Sequence, residues 1–199
     1  MPRRIDTGSR ADAIVDAVSH LITTRGLAPP SLRSIAAVVG VSVSTLSNHL
    51  TDRTRLLRVS AGRFANEYLN DLGRRTQLTG VHAFVPSDRA EVADMRVLLA
   101  WIELGRTDDS LGPVIDHYRS DERLLLGVTL TRLMPPDRQR YLDESELDAA
   151  WALVEGLCSA VCLRDGEAIP LERAHSALDF YVAQWLESAA GSARQAQVR

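Results

Sequence analysis

The chain has 199 residues, 45% of them hydrophobic and 25% charged, enough for one ordinary domain or a small domain joined to a larger one around a real core. No run approaches the roughly 18 consecutive apolar residues that a membrane span needs. The N-terminal "MPRRIDTGSR" is basic but lacks the apolar stretch of a secretory signal, so a cytoplasmic address with no membrane partner is expected. The net charge of −3 hides an asymmetry. Residues 1–60 carry eight arginines against four aspartates, a surplus of +4 that leaves −7 for the remainder. A basic end on an acidic body suits a protein that turns one face to a polyanion. There is no lysine, as a GC-rich coding sequence favours, so any phosphate contact must come from arginine, polar side chains or backbone amides.

Almost every segment reads as helix. From Ala11 to Arg25, the residues Ile14, Val18, Leu21 and Ile22 form one stripe at the helical period. Gly26 ends that helix, and "LAPP" forbids its continuation. Ser31 can cap a short helix with Leu32, Ile35, Ala36 and Val39 turned inward, and Gly40 closes it. Ser42 can cap a third helix, and Asp52 a fourth over 53–79, a natural connecting rod. "VHAFVPSD" is a connector, with Ser87 or Asp88 capping a helix to about Gly105. The stretch from Leu111 to Met134 is one helix or two, broken by "MPPD". Asp143 and Glu146 have the spacing of a capping box and open a helix to about Leu163. Pro170 suits the first turn of the last helix, which carries Leu171, Leu178, Tyr181 and Trp185 on its apolar face and is expected to fray from about Ala189. No alternating strand, internal repeat or low-complexity tract stands out. The fold class is all-α, with about nine helices.

The spacing Ala36, Gly40, Leu46 is what a helix-turn-helix needs. Two short helices crossing steeply require a small residue at closest approach, a turn residue tolerant of positive φ, and one inward apolar anchor on the second helix. Ser42, Val43, Ser44, Thr45, Ser47 and Asn48 are then left mostly facing away from the core. Such small side chains let a helix sit deep in the major groove and reach phosphates, base edges and thymine methyls. Spacing alone equally allows an ordinary helical hairpin with a solvated face.

The flanking residues add to this. Residues 10–57 resemble the DNA-binding region of the tetracycline-repressor (TetR) family of bacterial transcription regulators. The likeness rests on "LITTRG" at the end of the first helix, followed in register by Ser31, Ile35-Ala36, Gly40-Val41-Ser42, Thr45-Leu46, His49 and Leu56-Leu57. Three positions depart from the family pattern: Ser47 replaces a tyrosine that contacts phosphate, Leu50 a phenylalanine, and Arg53 a lysine. The resemblance implies a double-stranded DNA operator as partner. It assigns the backbone grip to Ser31, Ser42, Ser47, His49 and Arg53, with Arg33 as helper, and base reading to Val43, Ser44, Thr45 and Asn48. A hydrogen bond within the protein is the alternative role for His49. It also implies a helix-turn-helix domain over 1–57 and a larger helical ligand-binding and dimerisation domain over 58–199.

The segment "AAWALVEGLCSAVCL", 149–163, is apolar nearly all round, and such a helix must be covered on more than one side. Either it is central within one subunit or a second copy covers it. The resemblance points to a homodimer built from the last two long helices, with Trp151, Val154, Gly156, Cys158, Val161, Leu178, Tyr181 and Trp185 as the candidate seam. It also implies a small-molecule effector held among Met95, Leu99, Trp101, Ile102, His117, Tyr118, Leu125, Trp151 and Glu155, although large apolar residues at helical spacing are also what a core contains. Cys158 and Cys162 lie one turn apart, and small buried hydrophobes describe them better than a redox pair. No four-ligand metal set and no cofactor motif accompany them.

The expected function is a ligand-responsive regulator, read first as a repressor, that binds a palindromic operator as a homodimer and leaves it when the effector binds. The alternative is a helical ligand-binding or interaction protein of the same fold with weak or lost operator binding, which Ser47 keeps open. An enzyme is not expected, because nucleophile elbows, zinc-protease helices and phosphate-cradling glycine loops are missing from the sequence.

Overall fold

Proline, glycine and capping side chains cut the chain into helices close to the expected boundaries. The computed structural model describes residues 7–25, 30–49, 53–136, 139–163 and 168–196. Within them lie eight α-helices, one 3₁₀ turn and no strand. They are α1 (Thr7–Arg25), α2 (Leu32–Val39), α3 (Val43–His49), α4 (Arg53–Thr79), the 3₁₀ turn (Gly80–Phe84), α5 (Arg89–Thr107), α6 (Gly112–Leu133), α7 (Glu144–Val161) and α8 (Leu171–Ala196). The stretch before "MPPD" is a single helix, and the backbone of α8 continues past Ala189. Gly26 and Asp52, expected at helix ends, lie outside the described residues.

The chain packs as two compact units. The first comprises residues 1–69 with 96–119, the second 70–95 with 120–199. This grouping cuts through α4, α5 and α6.

The first unit is built around Ile14, Val18 and Leu21 of α1, Ile35 and Ala36 of α2, Leu46 of α3, and Leu57 and Ala61 of α4. Trp101 and Leu104 of α5, with Leu111 and Ile115 around the start of α6, complete the same cluster. The crossing of α5 and α6 is close: a Cβ added at Gly105 would lie 2.7 Å from Ile115 Cγ1. Only glycine fits there without moving Ile115.

The second unit is held differently. Val81, Ala83, Phe84 and Val85 are buried, so the expected connector is part of a core and not a surface loop. Asp88 accepts from the Glu91 amide (2.9 Å) while Glu91 accepts from Ser87 N–H (2.8 Å), which makes Asp88 the cap of α5. The capping box at α7 forms as its sequence spacing predicts, with both reciprocal bonds at 2.9 Å. Arg140 grips Glu146 through two 2.6 Å bonds, and Trp185 Nε1 of α8 donates to the same carboxylate (3.3 Å). Arg123 ties α6 to α7 through Glu144 and Asp148. His82 of the 3₁₀ turn and His175 of α8 share a 3.0 Å hydrogen bond, and His175 Nε2 lies 3.1 Å from the Pro86 carbonyl.

Candidate nucleic-acid interface and effector cleft

The helix-turn-helix forms on the predicted residues. Ser31 sits in extended backbone as the cap of α2, its Oγ accepting from the Ser34 amide (3.1 Å). Gly40 ends α2 in the left-handed region at φ 75°, ψ 31°, where any residue with a Cβ would be strained. Its amide and that of Val41 both return to the Ala36 carbonyl, at 2.9 and 3.0 Å. Ser42 then caps α3, with its Oγ accepting from Thr45 N–H at 3.0 Å and its carbonyl from Leu46 N–H at 3.0 Å. The anchors behave as the spacing requires: Ile35 is 0% exposed, Leu46 1% and Ala36 2%.

Turned away from that core are those candidate contact residues whose side chains the structure describes. Ser31, Arg33, Ser42, Val43 and Ser44 are exposed, and Thr45 is half-buried. The side chains of Ser47, Asn48, His49 and Arg53 lie outside the described part of the structure. Twelve arginines face nine carboxylate residues in the sequence of this unit, against eleven and seventeen in the other. The positive balance therefore goes with the unit that carries α2 and α3.

The first unit also contains a cleft of about 310 Å³ between α4 and α6. Gly62, Ala65, Leu69, Pro113 and Val114 give it apolar walls. Asn66, His117 and Tyr118 supply its polar groups, and no carboxylate or arginine lines it. Tyr118 is 1% exposed and stacks edge-on to Tyr68 at 6.2 Å, which fixes the ring.

The whole chain was compared with known proteins. No family model and no curated protein matches it. Solved structures do. A protein from Pseudomonas aeruginosa PAO1 described as a transcriptional regulator superposes with TM-score 0.75 at 20% identity, covering 96% of each chain. One from Rhodococcus sp. described as a TetR-family transcriptional regulator gives 0.67 at 19% identity, over 86% of this chain and 95% of that one. A third, a regulator from Saccharomonospora viridis in complex with choline, gives 0.71 at 14%, over 89% and 97%. The chain has the TetR-family regulator fold.

The expected effector residues lie on α5, α6 and α7. Leu99, Trp101, Ile102, His117 and Tyr118 belong to the first unit, Met95, Leu125, Trp151 and Glu155 to the second. Of the nine, His117 and Tyr118 line the cleft; Met95 and Trp101 are buried as core. The other residues that line the cleft carry a signal in the sequence. Gly62, Ala65, Asn66 and Leu69 recur at helical spacing on α4, and two such small side chains on one face leave room beside them.

The expected dimer seam mixes residues buried in the single chain with more open ones. Val154, Cys158, Val161, Leu178 and Trp185 are buried within the single chain, so a second copy could cover little more of them. Cys158 illustrates why: its thiol donates to the Phe84 carbonyl (3.1 Å), and burial pushes its pKa up, away from the reactive thiolate. Of the remaining candidates, Trp151 and Tyr181 are half-buried and Gly156 is exposed. The open side of α7 carries Ala149, Ala152, Gly156 and Ser159, with Leu163 just beyond its end, all exposed and spaced three or four apart. Apart from its own helix backbone and chain neighbours, a Cβ at Gly156 would meet no atom of the described residues within 4 Å. The helix thus has two apolar faces, and the larger side chains are on the one its own subunit covers.

Among the described residues, no helix is long and apolar enough to cross a membrane.

Proposed function

We propose that this protein is a ligand-responsive transcriptional regulator that binds a palindromic DNA operator as a homodimer. The observation that carries this reading is α3: a seven-residue helix anchored by the buried Leu46 while Ser42, Val43 and Ser44 stand exposed in a unit with surplus positive charge. One such helix touches too few base pairs to find a site. Two copies about a two-fold axis read both halves of a palindrome, roughly 34–36 Å apart or a multiple of that spacing. The open stripe on α7 and the 70% exposed Phe180 of α8 are the proposed seam.

The cleft between α4 and α6 is the proposed effector site, and release of DNA on effector binding makes the protein a repressor. Its volume reaches the range of small-molecule sites, and its apolar wall with a few polar groups is their usual chemistry. The choline bound by the neighbour is a cation, but here no carboxylate lines the cleft, so an uncharged effector is the better match. The second reading, a protein of this fold without operator binding, draws on Ser47 standing where the family has tyrosine.

A gel-shift titration with the DNA upstream of its own gene separates the two. A regulator binds at low salt and loses affinity steeply as salt rises. Replacing Arg33 by Ala should weaken all sequences alike and flatten the salt slope by about one unit. Indifference to every duplex in dilute buffer would leave the second reading standing.

A further inference from the structure

We infer that His82 and His175 form a proton-operated clasp within the second unit. The clasp holds one proton more than two neutral imidazoles carry, and it loosens when that proton is lost or another is added. Three contacts fix the count. His82 Nε2 lies 3.0 Å from Asp179 Oδ1, His82 Nδ1 lies 3.0 Å from His175 Nδ1, and His175 Nε2 lies 3.1 Å from the Pro86 carbonyl oxygen. Carboxylate and carbonyl oxygens only accept, so both Nε2 atoms carry protons. The central contact joins two ring nitrogens and needs a third proton, whereas two neutral imidazoles supply two. One ring is therefore an imidazolium, and the Asp179 carboxylate draws that charge to His82.

Either change in the count breaks a contact. An added proton sets two N–H groups against each other across the central gap, and a lost one sets a lone pair against a lone pair or against Asp179. The ring centroids are 5.2 Å apart, close to the full reach of two imidazoles set end to end, so the rings meet at their edges. Among the described residues, no set of three His, Cys, Asp or Glu side chains could hold a metal ion, and Asp179 is the charged group in contact with either ring. Titratable groups on the flanking elements are engaged elsewhere: Cys158 of α7 with the Phe84 carbonyl, Asp88 with the Glu91 amide, and Glu91 with Ser87 and with Arg75 of α4. Histidine changes charge between about pH 5 and 8, so the clasp responds in the physiological range. It ties the turn that follows α4 to α8, 93 residues further along the chain.

Linkage sets the sign. Above about pH 6.5 the unfolded chain holds fewer protons on these two residues than the clasp does, so their contribution to stability falls as pH rises; below that value it holds more, and the contribution falls as pH drops. The test follows the full-length protein by thermal melting at about pH 5, 6.5 and 8, and reads the histidine ring nitrogens by NMR. Asp179→Asn is the deciding variant. Its amide can donate to His82 Nε2, so two neutral imidazoles then complete all three contacts, and the optimum should move to higher pH. Between the two higher pH values the parent should lose roughly 1–3 °C in melting temperature relative to Asp179→Asn, the size of one exposed charged contact. Near the optimum, the parent's spectra should show His82 protonated on both nitrogens and His175 on Nε2 alone, a readout that needs no variant. The inference is overturned if the two rings titrate as independent imidazoles, or if the parent and Asp179→Asn share one pH profile.

Discussion

The helix pairs α2–α3 and α7–α8 solve opposite problems. The first pair has 8 and 7 residues, lengths at which an isolated helix is unstable in water. It is fixed by a few fully buried anchors on one side, and its exposed ends are satisfied by serines that need no partner from elsewhere in the fold. The second pair has 18 and 26 residues and is fixed on a carboxylate, with Glu146 serving the α7 cap, Arg140 and Trp185 at once. Short-range hydroxyl caps leave the surface of α3 small and free of ion pairs at Ser42 and Ser44. Long charged side chains would have covered that surface.

Breaking the anchor of the short pair should have the largest effect. Leu46→Ala removes a side chain that is 1% exposed, and Leu-to-Ala changes in cores cost about 2–5 kcal/mol. The loss falls on a helix with no other described core contact of that kind, so denaturant unfolding and DNA binding should both suffer. A variant that unfolds like the parent would show that α3 is held by something else.

The clamp of the long pair breaks next. The Arg140 guanidinium holds the Glu146 carboxyl down at about 2, against an ordinary value of 4.5. A depressed carboxyl stabilises the fold fully above about pH 4.5 and loses that contribution as pH falls toward 2. Glu146→Gln should therefore cost a constant amount at neutral pH, about 1–2 kcal/mol because solvent reaches the pair, and the gap to the parent should close on acidification. Chemical denaturation at pH 7 and pH 3 measures it; a gap that widens in acid would contradict the assignment.

How much of this was legible follows from where the information lies. Ser31, Gly40, Ser42 and Leu46 act on neighbours within a few residues, so spacing alone placed the turn and both caps. The Asp143–Glu146 box was legible for the same reason. The lining of the cleft and the open face of α7 were not, because each depends on which face of a helix meets which other helix. Nearly every position of 149–163 is apolar, so the pattern could not tell the covered face at Val154 and Val161 from the open face at Gly156. Trp101 drew notice as a large aromatic, but size marks core as readily as a ligand site, and core is where it lies.

Returning to the short pair, Ser42→Ala tests whether its caps matter as much as its anchors. Losing one serine cap costs about 1 kcal/mol, well below the Leu46 change. It also releases Ser44 and Thr45 from their shared partner, so base preference at the first turn should broaden as stability falls. A thermal shift without any change in preference would mean the hydroxyls were never restrained by Ser42.

The smallest effect is expected at Ser60, and its sign is the informative part. This α4 residue is 0% exposed, and its Oγ has no hydrogen-bond partner among the described residues. A buried hydroxyl without a partner keeps its desolvation cost and gains nothing in return, about 1–3 kcal/mol for such groups. Alanine removes that cost and leaves a gap of only one atom, so Ser60→Ala should raise stability by up to about 1 kcal/mol in an unfolding titration. The same change at Ser42 lowers it, although both are serine to alanine in the first unit. If Ser60→Ala destabilises the protein instead, the hydroxyl has a partner in solution, and burial alone would no longer separate the serines that cap from those that merely fill space.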